Sequence, residues 1–293
     1  MSALRLLAGP GVAELRTPLT YYGGKQKLAR QIVPLMPAHR VYLEPFAGGA
    51  AVLFAKPRAE RETLNDLDGR IVRFWRTIRD QPDELAAAVA ATPYSRAEWA
   101  ACRRGDDGDD GGDVEAARQL LVSIDQSFSR QGSWSPPSIA FDRRGRWQPG
   151  VWENLPPKLL AAVDRLRGVA LECADALELI PRWDLDGAVI YCDPPYALST
   201  RLEPEKVYAH DDDGTLWLRL VEVLTGIRHA AVILSGYPCQ EAEALGWHMV
   251  PLRHKRHVQT HSGVVTAAPE VVWLSPAVPD RIPSLLDDEA DAA

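Results

Sequence analysis

The run Ala188-Val189-Ile190-Tyr191-Cys192, followed at once by Asp193-Pro194-Pro195-Tyr196, constrains this 293-residue chain more than any other segment. Five apolar residues in a row predict a strand buried on both faces, the kind found in parallel sheets covered by helices. The two prolines must end it, because proline has no backbone donor and a fixed φ. Each proline also pushes the residue before it out of the helical region. The result is a stiff loop at the C-terminal end of a strand, where open α/β sheets bind ligands. It offers a carboxylate, backbone carbonyls and an aromatic ring, a set able to hold the exocyclic amino group of a flat base. The same four residues also suit an ordinary strand-ending turn with a packing tyrosine, so the rest of the chain has to choose.

Alternation elsewhere extends the sheet. Apolar or β-branched runs predict strands at 41–43, 62–66, 169–173, 187–192, 230–235, 247–252 and 271–274. Helical spacing predicts helices at 50–55, 68–79, 84–91, 96–103, 114–128, 156–167, 212–226 and 239–245. Strands alternating with helices mean a mostly parallel α/β sheet. Residues 83–154 interrupt the alternation and read as an inserted second domain. Within them the Gly/Asp run 105–113 reads as a disordered loop, and 139–141 with 146–148 as two arms of a hairpin around Arg143-Arg144-Gly145.

Three more strand ends carry candidate chemistry. Glu44-Pro45-Phe46-Ala47-Gly48-Gly49 turns from the first strand into a helix. Small residues there let a ligand approach the backbone and the helix N-terminus. The pattern is not G-x-G-x-x-G, so a nicotinamide dinucleotide is not indicated. Asp66 ends the next strand, where an acid can accept from two ribose hydroxyls; a structural turn is the alternative. Asp175 follows the strand at 169–173. Upstream, Tyr21-Tyr22-Gly23-Gly24-Lys25 is either a tight turn with a surface lysine or a glycine loop that sets an aromatic ring and a cation against a ligand.

Net charge, −7, at first opposes a nucleic-acid partner. Its distribution changes that. Residues 105–113 hold five net negative charges and 280–293 four, and without them the chain stands at +2. The bases cluster at Arg103-Arg104, Arg143 to Arg146 and Arg253 to His257, which suits phosphate contact or a solvated surface equally. The four cysteines are far apart, which argues against zinc and disulfides and fits a reducing cytoplasm. His254, His257 and His261 lack partner ligands, so no metal is expected. No apolar run reaches membrane-spanning length, and no secretion signal is read.

Y-Y-G-G-K, E-P-F-A-G-G, N-D and D-P-P-Y, in that order, resemble the Dam-like DNA adenine-N6 methyltransferases over about residues 18–275. The resemblance implies a Rossmann-like S-adenosylmethionine-dependent methyltransferase fold, with a mostly parallel sheet and a C-terminal antiparallel strand. A discontinuous catalytic domain (1–82 and 155–278) would carry an inserted helical, loop-rich recognition domain (83–154) and an acidic tail (279–293). S-adenosylmethionine is the implied methyl donor, with Tyr21, Gly24 and Lys25 at the cofactor and Glu44, Phe46, Gly48 and Gly49 around its methionine part. Asp66 would meet its ribose and Asp175 its adenine. Asp193, Pro194, Pro195 and Tyr196 would hold the target base, with Asp193 also bordering the cofactor. Arg130, Gln131, Arg143, Arg144 and Arg146 become candidates for contact with double-stranded DNA, and a separate cognate restriction endonuclease is a possible partner. One departure stands out: Ala50 occupies a place where the family usually has glycine; alanine is small, so tolerance is expected, with reduced cofactor affinity as the alternative. Methyltransferases acting on guanine N2 or similar amino groups of ribosomal RNA, or on protein amides, share the D-P-P-Y type of loop but generally lack the Gly-Gly-Lys block and the insert. A non-catalytic DNA-binding module on the same fold is the further alternative.

Overall fold

The computed structural model describes residues 16–20, 24–104, 111–127, 147–196, 214–253, 257–260, 263–266 and 269–279. Their strands are β1 (Val41–Glu44), β2 (Arg61–Asn65), β3 (Val169–Glu172), β4 (Ala188–Cys192), β5 (Ala231–Gly236), β6 (His248–Pro251), β7 (His257–Thr260), β8 (Gly263–Thr266) and β9 (Val271–Leu274). Among the described residues, seven of them form one sheet in the order β3-β2-β1-β4-β5-β9-β6. The first five run parallel; β9 is antiparallel to both β5 and β6. The fold is therefore α/β with a mixed sheet.

The central strands are buried throughout, as their apolar runs require. Their side chains divide between two faces with a period of two. Tyr42, Val189, Tyr191, Ile233 and Val272 join one hydrophobic cluster, while Leu43, Ile190, Cys192, Val232 and Trp273 join the other. The first face is covered by helices Gly69–Asp80 and Leu155–Leu166, the second chiefly by Leu216–Thr225. The edge strands β3 and β6 are only partly buried, and Pro251 ends β6, where an edge tolerates a missing donor.

The described parts of the segment between the two halves of the alternation are mainly helical: Pro82–Ala91, Arg96–Arg104, Asp113–Asp125 and Gln148–Trp152. Its buried Leu85, Val89, Leu121, Ile124 and Trp152 belong to the same cluster as Tyr42 and Leu64 of the sheet. Gln148 opens a helix with Pro149 in its first turn, so the expected hairpin arm 146–148 does not run through it. The other arm, most of the acidic loop and the tail lie outside the described residues.

Element ends shift where polar side chains cap them. Asp68 accepts from the Arg70 N–H at 2.9 Å and sets the start of Gly69–Asp80. Asp66 leaves β2 because both its oxygens serve loop amides. The helix expected from residue 50 begins at Ala51, because Ala50 is left-handed at φ 49°, ψ 34°. The antiparallel ribbon β7–β8 has no counterpart among the sequence expectations.

Candidate active site

The strand order reverses between β1 and β4: from β1 the chain continues to β2 on one side, while β4 lies on the other. Such a switch point leaves a crevice at the C-terminal strand ends. A cavity of about 220 Å³ occupies it, lined by residues 44–52, 66–68, 175–177 and 193–196, with Gly24, Lys25 and Arg219. The four candidate segments thus meet at one cavity.

The β1 end forms its floor. Glu44 is buried, and its Oε1 accepts from the Tyr42 hydroxyl and the Leu53 N–H, both at 2.6 Å. Burial pushes its carboxyl up to about 7, against the pull of those two donors. Gly48 has φ 44°, which glycine adopts without strain, and its N–H donates to Asp66 Oδ2 at 2.8 Å. The Gly48 carbonyl accepts from Trp75 Nε1 at 3.1 Å. Asn65 ties this loop to the next: its Nδ2 donates to the carbonyls of Pro45 (2.9 Å) and Ala174 (3.0 Å), and its Oδ1 accepts from the Ala174 N–H (2.9 Å). Asp175 caps the short helix Ala176–Leu179 by accepting from the Leu177 N–H at 2.8 Å. Arg219 reaches to 4.0 Å from Asp175 across the rim.

The β4 end supplies a denser arrangement. Asp193 Oδ1 accepts from Lys25 Nζ at 2.6 Å and from Ser235 Oγ at 2.9 Å, and Tyr191 lies 3.0 Å from Ser235. Lys25 Nζ also lies 2.7 Å from Glu270 Oε1 and 3.3 Å from the Tyr196 hydroxyl. That hydroxyl donates to Glu270 Oε1 at 3.1 Å, and the Tyr196 ring packs on Tyr237 with centroids 4.8 Å apart. Burial alone would lower the Lys25 ammonium, but Asp193, Tyr196, Glu270 and Tyr191 outweigh it and hold its pKa well above the ordinary value. Burial raises Asp193, and Glu270 adds to that, while Lys25 opposes. The Pro195 carbonyl accepts from Trp217 Nε1 at 2.8 Å. Gly236 makes room for this indole, since a Cβ there would come within 2.9 Å of it.

Of the expected site residues, Gly24, Lys25, Glu44, Phe46, Gly48, Gly49, Asp66, Asp175, Asp193, Pro194, Pro195 and Tyr196 all border this one cavity. Lys25 does so with its ammonium on Asp193 and Glu270. Tyr21, Arg130, Gln131, Arg143, Arg144, Arg146, His254 and His261 lie outside the described residues, as does the side chain of His257. Sequence reasoning passed over Glu270, Ser235 and Trp217. A signal for Glu270 existed: it immediately precedes the apolar run 271–274, and an antiparallel strand begins at the edge where its parallel neighbours end. Among the described residues no three His, Cys, Asp or Glu side chains are grouped to hold a metal ion. No helix of the described residues is long and apolar enough to cross a membrane.

The family model for D12 class N6 adenine-specific DNA methyltransferases matches residues 21–102. The chain is 27% identical over 202 residues to the modification methylase StsI of Streptococcus sanguinis, covering 64% of this chain and 29% of that protein. It is 24% identical over 277 residues to a DNA N-6-adenine-methyltransferase of Escherichia phage P1, covering 88% of this chain and 35% of the phage protein. With the type II methyltransferase M1.LlaDCHI of Lactococcus lactis subsp. cremoris it shares 24% identity over 207 residues, 67% of this chain and 71% of the relative. The chain thus spans about a third of the length of the first two relatives. These matches support a general relationship to DNA adenine-N6 methyltransferases.

Proposed function

We propose that this chain is a site-specific DNA adenine-N6 methyltransferase. It takes the methyl group from S-adenosylmethionine and places it on a flipped-out adenine of double-stranded DNA. The observation that carries the reading is the division of labour within Asp193. Lys25 and Ser235 both bind Oδ1, so the carboxylate is fixed in orientation beside the cavity, with Oδ2 outside those two bonds.

The cavity suits the cofactor's parts. Asp66 lines one end of it and would face the ribose, the half-exposed Leu67 with Leu177 offers apolar flanks for a flat ring, and Asp175 borders the same end. The Glu44–Gly49 loop, kept open by small residues, would take the methionine part. When bound, S-adenosylmethionine supplies an electrophilic methyl group on a sulfonium.

This chain's own residues then act on the base. Adenine N6 is a poor nucleophile because its lone pair is delocalised into the ring. Asp193 Oδ2 accepts one N6–H. The Pro194 carbonyl accepts the other; its neighbour at Pro195 is already committed to Trp217. Two acceptors placed this way favour a more tetrahedral nitrogen with its lone pair available. Tyr196, on the same rigid turn, stacks on the base. Positioning and electrostatics supply most of the acceleration, with no covalent intermediate on the protein. A base inside a duplex cannot reach this crevice, so it must leave the stack first. Residues 83–154, with Arg130, Gln131, Arg143, Arg144 and Arg146, are the recognition segment in this reading.

The test is methyl transfer from labelled S-adenosylmethionine to double-stranded DNA and, separately, to ribosomal RNA. The modified nucleoside is identified by mass spectrometry. N6-methyladenine in DNA is expected; label confined to RNA, or on another base, overturns the reading. Sequencing of the methylated DNA then gives the recognition site.

A further inference from the structure

We infer that Glu270 is a positioning residue that anchors both halves of the base-holding loop, Asp193 through Lys25 and Tyr196 directly. This rests on the proposed amino-methylation reading and names what sets the loop's geometry. One oxygen, Glu270 Oε1, lies 2.7 Å from Lys25 Nζ and 3.1 Å from the Tyr196 hydroxyl, and Lys25 carries the connection a further 2.6 Å to Asp193 Oδ1. Glu270 and Lys25 are both buried. The three contacts draw on segments far apart in sequence: the turn at Lys25, the loop after β4 and the entry to β9. The Leu252 N–H donates to the Glu270 carbonyl at 2.8 Å, so its backbone is fixed as well. Asp193 and Tyr196 are three residues apart on a stiff turn, yet it is a distant carboxylate that fixes both side chains relative to one another.

The charge count gives Glu270 a second effect. Lys25 faces two carboxylates, so it cannot neutralise both. Glu270 therefore opposes the ionisation of Asp193, whose surroundings also include Glu44 from β1, Tyr191 and Cys192 from β4, and Tyr196. Removing the negative charge at 270 leaves Asp193 facing Lys25 without a competing carboxylate there, while Lys25 keeps its contact with the Tyr196 hydroxyl. The carboxyl of Asp193 then titrates at lower pH.

Two variants test this, Glu270→Gln and Glu270→Asp, in the full chain, with thermal melts to confirm folding. In single-turnover assays at saturating cofactor, Glu270→Gln should lower the methyl-transfer rate by roughly 10²-fold, the scale of a mispositioned reacting group. S-adenosylmethionine affinity should change by less than about 2-fold, since the cofactor arm of the cavity is untouched. Glu270→Asp should recover part of the rate. The acid limb of the rate profile should move to lower pH in Glu270→Gln. Carbon-13 NMR of the Asp193 carboxyl, assigned by its loss in Asp193→Asn, should show the same downward move in the free protein. A wild-type rate in Glu270→Gln with an unmoved Asp193 titration overturns the inference. If the wild-type chain methylates no DNA, the proposed function fails, and the NMR titration alone still decides the anchoring role.

Discussion

Lys25 and Lys56 are both buried ammonium groups, but they sit at opposite ends of the sheet and in opposite company. Lys25 lies at the C-terminal strand ends with two carboxylates, Asp193 and Glu270. Lys56 lies near the start of β2 and shares one carboxylate, Glu62, with Arg165. In that second cluster every partner is also used elsewhere. Arg165 grips Glu62 with both terminal nitrogens and donates Nε–H to the Leu53 carbonyl, while Lys56 donates to the Pro57 carbonyl and lies 4.2 Å from the Tyr42 ring centroid. Hydrogen bonds from Arg165 and Lys56 overcome burial and hold Glu62 down at about 2. The first cluster is short of cations, so burial wins there and Asp193 is raised. An ion cluster with cations to spare suits stability; one with carboxylates to spare keeps an acceptor of raised pKa beside a cavity.

The largest effect should separate chemistry from stability. Asp193→Ala is expected to cut methyl transfer by at least about 10²–10³-fold, as loss of a positioned electrostatic partner does. Cofactor binding should largely survive. Stability should change little, because the variant leaves Lys25 paired with Glu270. Single-turnover rates, calorimetric cofactor binding and urea melts measure the three. Substantial unfolding would erase the contrast between the clusters.

Glu62→Gln should show the reverse. It leaves Lys56 and Arg165 buried without their anion, which costs about 3–5 kcal/mol. Urea denaturation at neutral pH measures it. The wild-type contribution is also pH-dependent: a folded pKa near 2 against an ordinary 4.5 gives about 3 kcal/mol, present above pH 4.5 and lost as pH falls towards 2.

Glu44 links the two clusters and should respond in the opposite sense. The Tyr42 hydroxyl and the Leu53 N–H both donate to it, while the Tyr42 ring and the Leu53 carbonyl face Lys56 and Arg165. Its folded pKa of about 7 lies above the ordinary 4.5, so the folded state prefers it protonated. That preference is fully present below pH 4.5 and is lost as pH rises through about 7, a change of about 3 kcal/mol. Glu44→Gln should therefore flatten stability between pH 4.5 and 7 and leave the acid side to Glu62. Urea melts across this range, in both variants, check the two slopes.

The difference between the clusters was only half legible in the sequence. The buried parallel strands were readable, because uninterrupted apolar runs have few other uses. The residues gathered at their ends were readable too, since prolines, glycines and isolated acids mark strand exits. What pairs with Asp193 was not readable. The resemblance places Lys25 at the cofactor, and nothing in its own stretch of chain points to the carboxylate it meets 168 residues away. Glu270 was passed over although it immediately precedes the apolar run 271–274; antiparallel β9 turns its first residues towards the cavity. The Lys56–Glu62–Arg165 cluster joins residues up to 103 positions apart on unremarkable stretches of chain. Ribbon β7–β8 was masked by the neighbouring basic run, which drew attention to charge over the alternation that follows.

The smallest expected effect concerns the segment that joins the two clusters. Ala50 is left-handed and buried, between Gly48 at the cavity and the helix Ala51–Ala55 that leads to Lys56. A left-handed alanine costs about 1–2 kcal/mol, and glycine would remove that while adding up to about 1 kcal/mol of unfolded-chain entropy. Ala50→Gly should therefore stabilise the chain by about 0.5–1 kcal/mol. The Ala50 N–H already donates to the Ala47 carbonyl at 2.6 Å, so the loop's path need not change. Cofactor affinity should then match the wild type, which separates conformational strain from a loss of affinity caused by the alanine methyl group. A tighter-binding Ala50→Gly variant of unchanged stability would mean that the methyl group obstructs the cavity instead. Urea melts and calorimetric titration on the same preparation distinguish the two.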